Sequence, residues 1–356
     1  MTRPVVVTGD AFRAQRHGGV SRFVTEVVAR LARPVHVTGG LLRARDTAAL
    51  GDRLAPRLAL PGLPGAARLA APWHARLDAA AIRRAPDAIV HPSYYRDPAS
   101  LPAGHPLVVT LYDFVHERFP GHARLGAERW KAALCARADR VLAISDATCR
   151  DAAERLALPA SRLRVTPPGG RDWSGVAPRP LAGVTPPFLL WVGPRYAYKN
   201  FTGALRAVAG CTAARGHALL CVGGGPLTGD ERHAAAAAGV ALVRRDADDA
   251  GLRWAYEHAA GLVYPSLWEG FGLPVLEALS LGTPVLASDR ASLPEAGGAA
   301  AFYADPDDAA ALAAALGELL AHGRAPDRVA AGRAHAARFT WDRCAALHEA
   351  AYAELD

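Results

Sequence analysis

The sequence predicts an α/β protein of two doubly wound, Rossmann-like domains facing a central cleft. Three observations predict it. Short apolar runs alternate with helical patterns along the chain, the mark of parallel sheets flanked by helices. A proline- and glycine-rich stretch from Pro167 to Pro187 splits that alternation into two series. The chain has 356 residues, 51% of them apolar, more than one core organises comfortably and enough for two.

The first series opens on Val5-Val6-Val7, which reads as a buried strand and not as part of a leader peptide. Strands are expected near 4–8, 34–38, 88–91, 107–111, 141–144 and 163–166, with helices near 20–32, 66–84, 126–137 and 146–157. In the second series, strands are expected near 188–192, 218–222, 240–243, 261–264, 284–287 and 300–303. Helices near 201–213, 230–237, 249–259, 274–281, 307–321 and 326–337 alternate with them. The expected division is an N-terminal Rossmann-like domain over 1–170, a linker over 171–187 and a C-terminal Rossmann-like domain over 188–340. A closing helix over 341–356 is expected to pack back on the first domain. No internal repeat is visible in the sequence. Ligands of such sheets bind beyond the carboxyl ends of the strands.

Composition narrows the function classes. The net charge is +7, yet all but two of the 41 basic residues are arginine, and only Lys131 and Lys199 are lysine. The arginines are dispersed, with no basic tract and no aromatic-basic module, which argues against a nucleic-acid partner. Such a surface suits peripheral contact with anionic lipid. No stretch has the length and apolarity of a membrane span. The five cysteines (135, 149, 211, 221 and 344) are scattered without metal spacing, as expected for buried free thiols in a reducing cytoplasm.

The chemistry concentrates in Pro265-Ser266-Leu267-Trp268-Glu269-Gly270-Phe271-Gly272-Leu273-Pro274-Val275-Leu276-Glu277. Two carboxylates bracket a Gly-x-Gly turn that runs into a helix opened by proline. Gly270 and Gly272 let the backbone approach a ligand and expose amides, and a helix N-terminus attracts phosphate. Carboxylates would repel that phosphate, so Glu269 and Glu277 are better matched to hydroxyls. Hydroxyls beside a diphosphate describe a nucleotide sugar. Taken alone, the same spacing also fits a loop glutamate followed by a helix-dipole glutamate in the first turn.

The segment resembles the E-x7-E signature of retaining GT-B glycosyltransferases, in particular family 4, which builds bacterial polysaccharides such as lipopolysaccharide and capsule. The resemblance implies that Glu269 contacts the donor sugar and Glu277 the ribose, with Gly270, Phe271, Gly272 and Leu273 forming the turn between them. Val192-Gly193-Pro194-Arg195-Tyr196-Ala197-Tyr198-Lys199-Asn200 is similar to the family's V-G-x-R-x-x-x-K-N segment, whose basic pair neutralises the donor diphosphate. Arginine can grip phosphate with two parallel bonds, and lysine supplies a point charge. His17-Gly18-Gly19-Val20-Ser21-Arg22-Phe23 resembles the loop that closes over the donor phosphate, with Gly18 and Gly19 as its contacts. Gly223-Gly224-Gly225-Pro226 looks like a further family turn.

Tyr112-Asp113 stands where many family members carry His-Asp, so a histidine-based catalytic role is absent at that position. Asp113, His116 and Glu117 could orient or deprotonate the acceptor, and Tyr94 and Tyr95 could shape its site. Asp246-Ala247-Asp248 and Asp305-Pro306-Asp307 spell D-x-D, but each precedes an expected helix, where aspartates cap. No metal or other cofactor is expected. Ser292-Leu293-Pro294-Glu295 fits a capping box, and Ser145 an N-cap.

The resemblance implies a cytoplasmic, metal-independent hexosyltransferase, with catalysis carried by Glu269, Arg195, Lys199, Asp113 and Tyr112. Its donor would be a nucleotide-diphospho-sugar of mannose or rhamnose type, and its acceptor a glycan or lipid-linked glycan. A nucleotide-sugar 2-epimerase of GT-B fold and a non-catalytic sugar-nucleotide-binding subunit are the alternatives.

Overall fold

The computed structural model describes residues 2–14, 18–42, 47–55, 57–59, 66–119 and 128–356. Two compact units emerge, one of residues 1–169 with 340–356 and the other of 170–339. His17, quoted above within a motif, lies outside the described residues.

In the first unit the strands are β1 (Val5–Thr8), β2 (Val35–Val37), β3 (Gly40–Leu42), β4 (Arg57–Ala59), β5 (Ile89–Pro92), β6 (Val108–Leu111), β7 (Arg140–Ala143) and β8 (Leu163–Val165). They pair in parallel as β2-β1-β5 and β6-β7-β8, and a bridge from Val90 to Leu107 joins the two sets. β1, β5 and β6 are buried along their whole length, which is why they read as unbroken apolar runs. β3 and β4 form a separate parallel pair that the sequence reading does not anticipate. Three residues each are too few to show an alternation.

Helix Trp341–Ala353 packs on helix Gly19–Arg30, with Phe23 edge-on to Trp341 at 5.7 Å and Arg30 paired to Asp342 at 3.0 Å. Beneath it lies a polar core cluster. His91 Nδ1 meets the Tyr352 hydroxyl at 2.6 Å and Nε2 meets Thr110 Oγ1 at 2.9 Å. His348 stacks 6.1 Å from His91, and its Nδ1 donates to the Cys344 carbonyl at 2.8 Å. Burial pushes His91 down to about 3 and His348 down to about 4, so both rings are neutral near pH 7.

The second unit is a six-stranded parallel sheet of β9 (Phe188–Val192), β10 (Ala218–Val222), β11 (Leu242–Arg245), β12 (Gly261–Tyr264), β13 (Val285–Ser288) and β14 (Phe302–Ala304). The order β11-β10-β9-β12-β13-β14 reverses direction between β9 and β12, the switch point where such sheets bind ligands. Trp191, fully buried on β9, meets Phe201 edge-on at 5.1 Å and anchors the helix Phe201–Gly210 against the sheet.

Residues 171–187, expected as a linker, pack on this second unit. Trp173 is buried edge-on to Tyr256 at 6.1 Å, and Arg179 donates its backbone N–H to the Ala250 carbonyl at 3.0 Å. Proline and glycine stop regular structure without stopping burial. Among the described residues no helix is long and apolar enough to cross a membrane.

Candidate functional site

The loops that leave the carboxyl ends of β9 and β12 converge on one ion pair whose lysine is buried and whose glutamate is mostly so. Lys199 ends the short turn Ala197–Lys199 and is 7% exposed. Its ammonium donates to Glu269 Oε1 at 2.7 Å and to the Tyr264 hydroxyl at 2.8 Å. Burial alone would pull the Lys199 pKa down, but the Glu269 carboxylate outweighs it and raises it, so the ammonium stays charged. The ring of Tyr264 lies 5.0 Å from that ammonium. Burial and the neighbouring Glu269 charge push the Tyr264 phenol well above its ordinary value, which keeps it neutral.

Asn200 explains how these loops are held. It adopts a left-handed conformation (φ 58°, ψ 49°), which asparagine tolerates better than most residues. Its Oδ1 caps the following helix at Gly203 N, while its Nδ2 donates to the carbonyls of Pro265 and Pro306. One side chain therefore ties the ends of β9, β12 and β14 together.

The loop from Ser266 to Gly272 is fastened from beneath. Ser288 donates to the Ser266 carbonyl at 2.6 Å, and Leu267 N donates to the Tyr198 carbonyl at 2.7 Å. Ser292 Oγ, fully buried, lies 2.9 Å from both the Glu269 and Phe271 carbonyls and shares its one proton between them. The expected capping box at Ser292–Glu295 is therefore corrected. Ser292 precedes the helix Leu293–Gly297 in a helical conformation and makes no side-chain cap. No spacing in the sequence signals that it braces the Glu269 loop.

Gly272 caps the helix Leu273–Ser280 at φ 113°, and a Cβ there would lie 2.7 Å from Leu293 Cδ2. Both facts demand glycine. Phe271 is buried against Phe339 at 5.3 Å, so it is a peg for the loop and not a ligand-facing ring. Glu277 lies in the second turn of the helix and not in the first as expected, which removes the helix-dipole reading. Its Oε2 accepts from Tyr256 Oη at 3.0 Å and its Oε1 from Arg171 Nε at 3.3 Å.

Arg195 is placed differently from the expectation. Its Nε donates to Glu231 at 2.7 Å, and its terminal nitrogens reach the carbonyls of Gly223, Gly225 and Pro226 at 3.3, 3.1 and 2.9 Å. The guanidinium thus holds the 223–226 turn after β10, and its side chain is 3% exposed. Reaching a phosphate would require giving up some of those carbonyls.

Both D-x-D sequences are engaged by arginine or helix ends. Asp246 pairs with Arg244 at 2.8 Å, and Asp248 caps Gly251 N at 3.0 Å and pairs with Arg179 at 2.6 Å. Asp305 and Asp307 pair with Arg290 at 2.5 and 2.7 Å.

In the first unit, Tyr112 requires a correction. It is buried, its hydroxyl donates to the Ser93 carbonyl at 3.0 Å, and its ring meets Phe23 edge-on at 5.6 Å. A side chain spent in this way packs the unit and offers nothing to a substrate. Tyr95 is also interior, its hydroxyl accepting from Tyr112 N at 3.1 Å.

Around Asp113 a charged cluster forms that sequence reasoning only half anticipates. Lys131, 1% exposed, donates to the Asp113 carbonyl at 2.7 Å and to Glu117 Oε2 at 2.9 Å, with the Tyr95 ring 5.1 Å away. Asp113 Oδ1 accepts from Val115 N at 3.0 Å, and burial raises this carboxyl pKa despite the Lys131 charge. Glu128 accepts from Tyr94 Oη at 3.2 Å and faces His116 Nε2 at 3.5 Å. Lys131 and Glu128 carry no motif; the one available signal was that Lys131 is one of two lysines. Gly18 adopts extended backbone before the helix Gly19–Arg30, and a Cβ on Gly19 would meet nothing within 4 Å.

Comparison with known proteins identifies the family and the fold. A family model described as Glycosyl transferases group 1 matches residues 186–322, and one described as Glycosyltransferase Family 4 matches residues 17–169. The chain is similar to O-antigen chain mannosyltransferase B of Escherichia coli, at 43% identity over 97 residues. That alignment covers 27% of this chain and spans 26% of the relative. Among solved structures, sucrose-phosphate synthase from Thermosynechococcus elongatus superimposes with a TM-score of 0.72 at 20% identity, covering 99% of each chain. Anabaena Alr3699/HepE in complex with UDP-glucose gives a TM-score of 0.72 at 17% identity, also over 99% of each chain. Two successive family models on two Rossmann-like units, with a Lys199–Glu269 pair at the switch point of the second, place the chain in family 4 of the GT-B glycosyltransferases.

Proposed function

We propose that the protein transfers a hexose of mannose type from a nucleotide-diphospho-sugar to a glycan or lipid-linked acceptor, with retention at the anomeric carbon. Rhamnose is the alternative sugar, and the product belongs to polysaccharide assembly of the O-antigen or capsule type. The observation that carries this reading is the buried Lys199–Glu269 pair at the carboxyl ends of β9 and β12. The mannosyl reading draws on the relative from Escherichia coli, and the nucleotide-sugar reading on the neighbour that holds UDP-glucose.

In this mechanism Lys199 and the amides after Glu269 stabilise the diphosphate as it departs, because charge grows there as the glycosidic bond breaks. Glu269 accepts from a hydroxyl of the donor sugar, and Glu277 from the ribose. The acceptor hydroxyl attacks the face from which the diphosphate leaves and gives its proton to the leaving phosphate. Arg195 contributes by shaping the 223–226 turn. Asp113 and His116 of the first unit orient the acceptor. The site of action is the cytoplasm, at the inner face of the plasma membrane, where an arginine-rich surface meets anionic lipid.

A thermal-shift screen against GDP-mannose, UDP-glucose, dTDP-rhamnose and ADP-glucose tests the reading. The right donor at roughly 100 times its Kd stabilises the protein by about 2.7 kcal/mol. Slow donor hydrolysis without acceptor then separates a transferase from a binding subunit. No stabilisation by any donor overturns the reading, and tight binding without any turnover supports the binding subunit instead. Transfer is expected to survive EDTA, because Lys199 and helix-end amides already meet the donor charge. Activity abolished by chelation and restored by magnesium or manganese would return the aspartates at 246, 248, 305 and 307 to consideration.

A further inference from the structure

Glu277 is a carboxylate with little access to water, its side chain being 7% exposed. Two of the groups that hold it differ in kind. Tyr256 is fully buried, and its hydroxyl donates to Oε2 at 3.0 Å. This contact is neutral and fixed, since burial pushes the phenol well above its ordinary value. Arg171 reaches Oε1 at 3.3 Å through its Nε and pairs with Asp249 through a terminal nitrogen. The guanidinium lies 5.2 Å from the Trp173 ring, which meets Tyr256 edge-on in turn. Arg171 therefore bridges a buried carboxylate and one on the surface, Asp249 being 64% exposed.

We propose that Arg171 is a positioning residue for ribose recognition, aiming the Glu277 carboxylate and compensating its charge. This inference rests on the reading of Glu277 as the ribose acceptor given above. A carboxylate confined beside a buried tyrosine accepts hydrogen bonds well only while it is ionised and correctly turned. Of its two oxygens, Oε2 is turned by Tyr256 and Oε1 by Arg171. The fork geometry of arginine allows Nε to serve Glu277 while a terminal nitrogen stays on Asp249, so one side chain can fix how the carboxylate is turned toward the ribose hydroxyls. The segment that carries Arg171 reads as a linker from its prolines and glycines. Its packing on the second unit is what brings the guanidinium to the helix Leu273–Ser280.

The test compares UDP, GDP and dTDP with their 2′,3′-dideoxy counterparts by calorimetry, because their ratio isolates the sugar hydroxyls from the base and the phosphates. The native protein is expected to prefer the hydroxylated form of its best nucleotide by roughly tenfold or more, as befits hydrogen bonds to a charged group. In Arg171→Gln that preference should fall to within about threefold, while the dideoxy compound keeps its affinity. Arg171→Lys should restore part of the preference. A folded Arg171→Gln protein that keeps the native ratio overturns the proposal, and so does one that loses both affinities equally. Glu277→Ala distinguishes the two levels. If it retains the preference, the ribose reading itself falls. If it loses the preference while Arg171→Gln does not, only the role of Arg171 falls.

Discussion

Replacing Lys199 with methionine is expected to lower stability by up to about 3 kcal/mol, because it strands Glu269 as a mostly buried carboxylate without its cation. In the same protein, sugar transfer should fall by roughly 10²–10³, the scale seen when one group stabilising developing charge is removed. The two effects are separable. In Lys199→Met/Glu269→Gln both charges are gone, so most of the stability should return, since a neutral pair in that position leaves nothing uncompensated. Activity should not return with it. Denaturation by urea and initial rates with saturating donor measure the two quantities. A double variant that recovers its rate along with its stability would reduce Lys199 to a structural residue.

Acid should destabilise the first unit more steeply than its carboxylates alone would predict. His91 and His348 are held at about 3 and about 4 by burial, against 6.5 for a free histidine. Below pH 6.5 the unfolded chain takes up protons that the folded chain refuses, so stability falls as pH falls. The loss continues until the folded values are reached. At pH 5 each histidine costs about 2 kcal/mol relative to neutral pH. His348→Leu removes one of the two and should cut this component of the slope by about half. Urea midpoints at pH 7 and pH 5 for both proteins give the comparison. An unchanged slope in the variant would mean that His348 is protonated in the native state.

Much of this architecture was legible because parallel strands buried on both faces leave long apolar signatures. Phe188-Leu189-Leu190-Trp191-Val192 is such a run, and the structure makes it a central strand. The pairing of Lys199 with Glu269 was not written in either motif, because the two residues lie on different loops that meet only when β9 and β12 become neighbours. Direction was the other blind spot. Tyr112 follows a strand end, as substrate-facing residues do, but nothing in one sequence says that its ring turns inward to Phe23 and Tyr94. Arg195 shows the same limit. A cation after a strand suits a phosphate, yet five hydrogen bonds to Glu231 and the 223–226 carbonyls absorb its donors. Trp173 was the overlooked signal in the presumed linker, since a tryptophan in a free tether has no reason to be there.

Each unit holds one lysine, Lys131 in the first and Lys199 in the second, and both ammonium groups are buried against glutamate. Lysyl endopeptidase, which cuts only after lysine, therefore has no site on the native surface of this protein. Each cut has to wait for the unit that carries it to open, and the two products differ in size because residues 131 and 199 divide the chain unevenly. Timed digestion read on a gel would report the opening of the two units separately and in one tube, with no label or substitution. A saturating donor that closes around Lys199 should then slow the cut at 199 and leave the cut at 131 at its own rate.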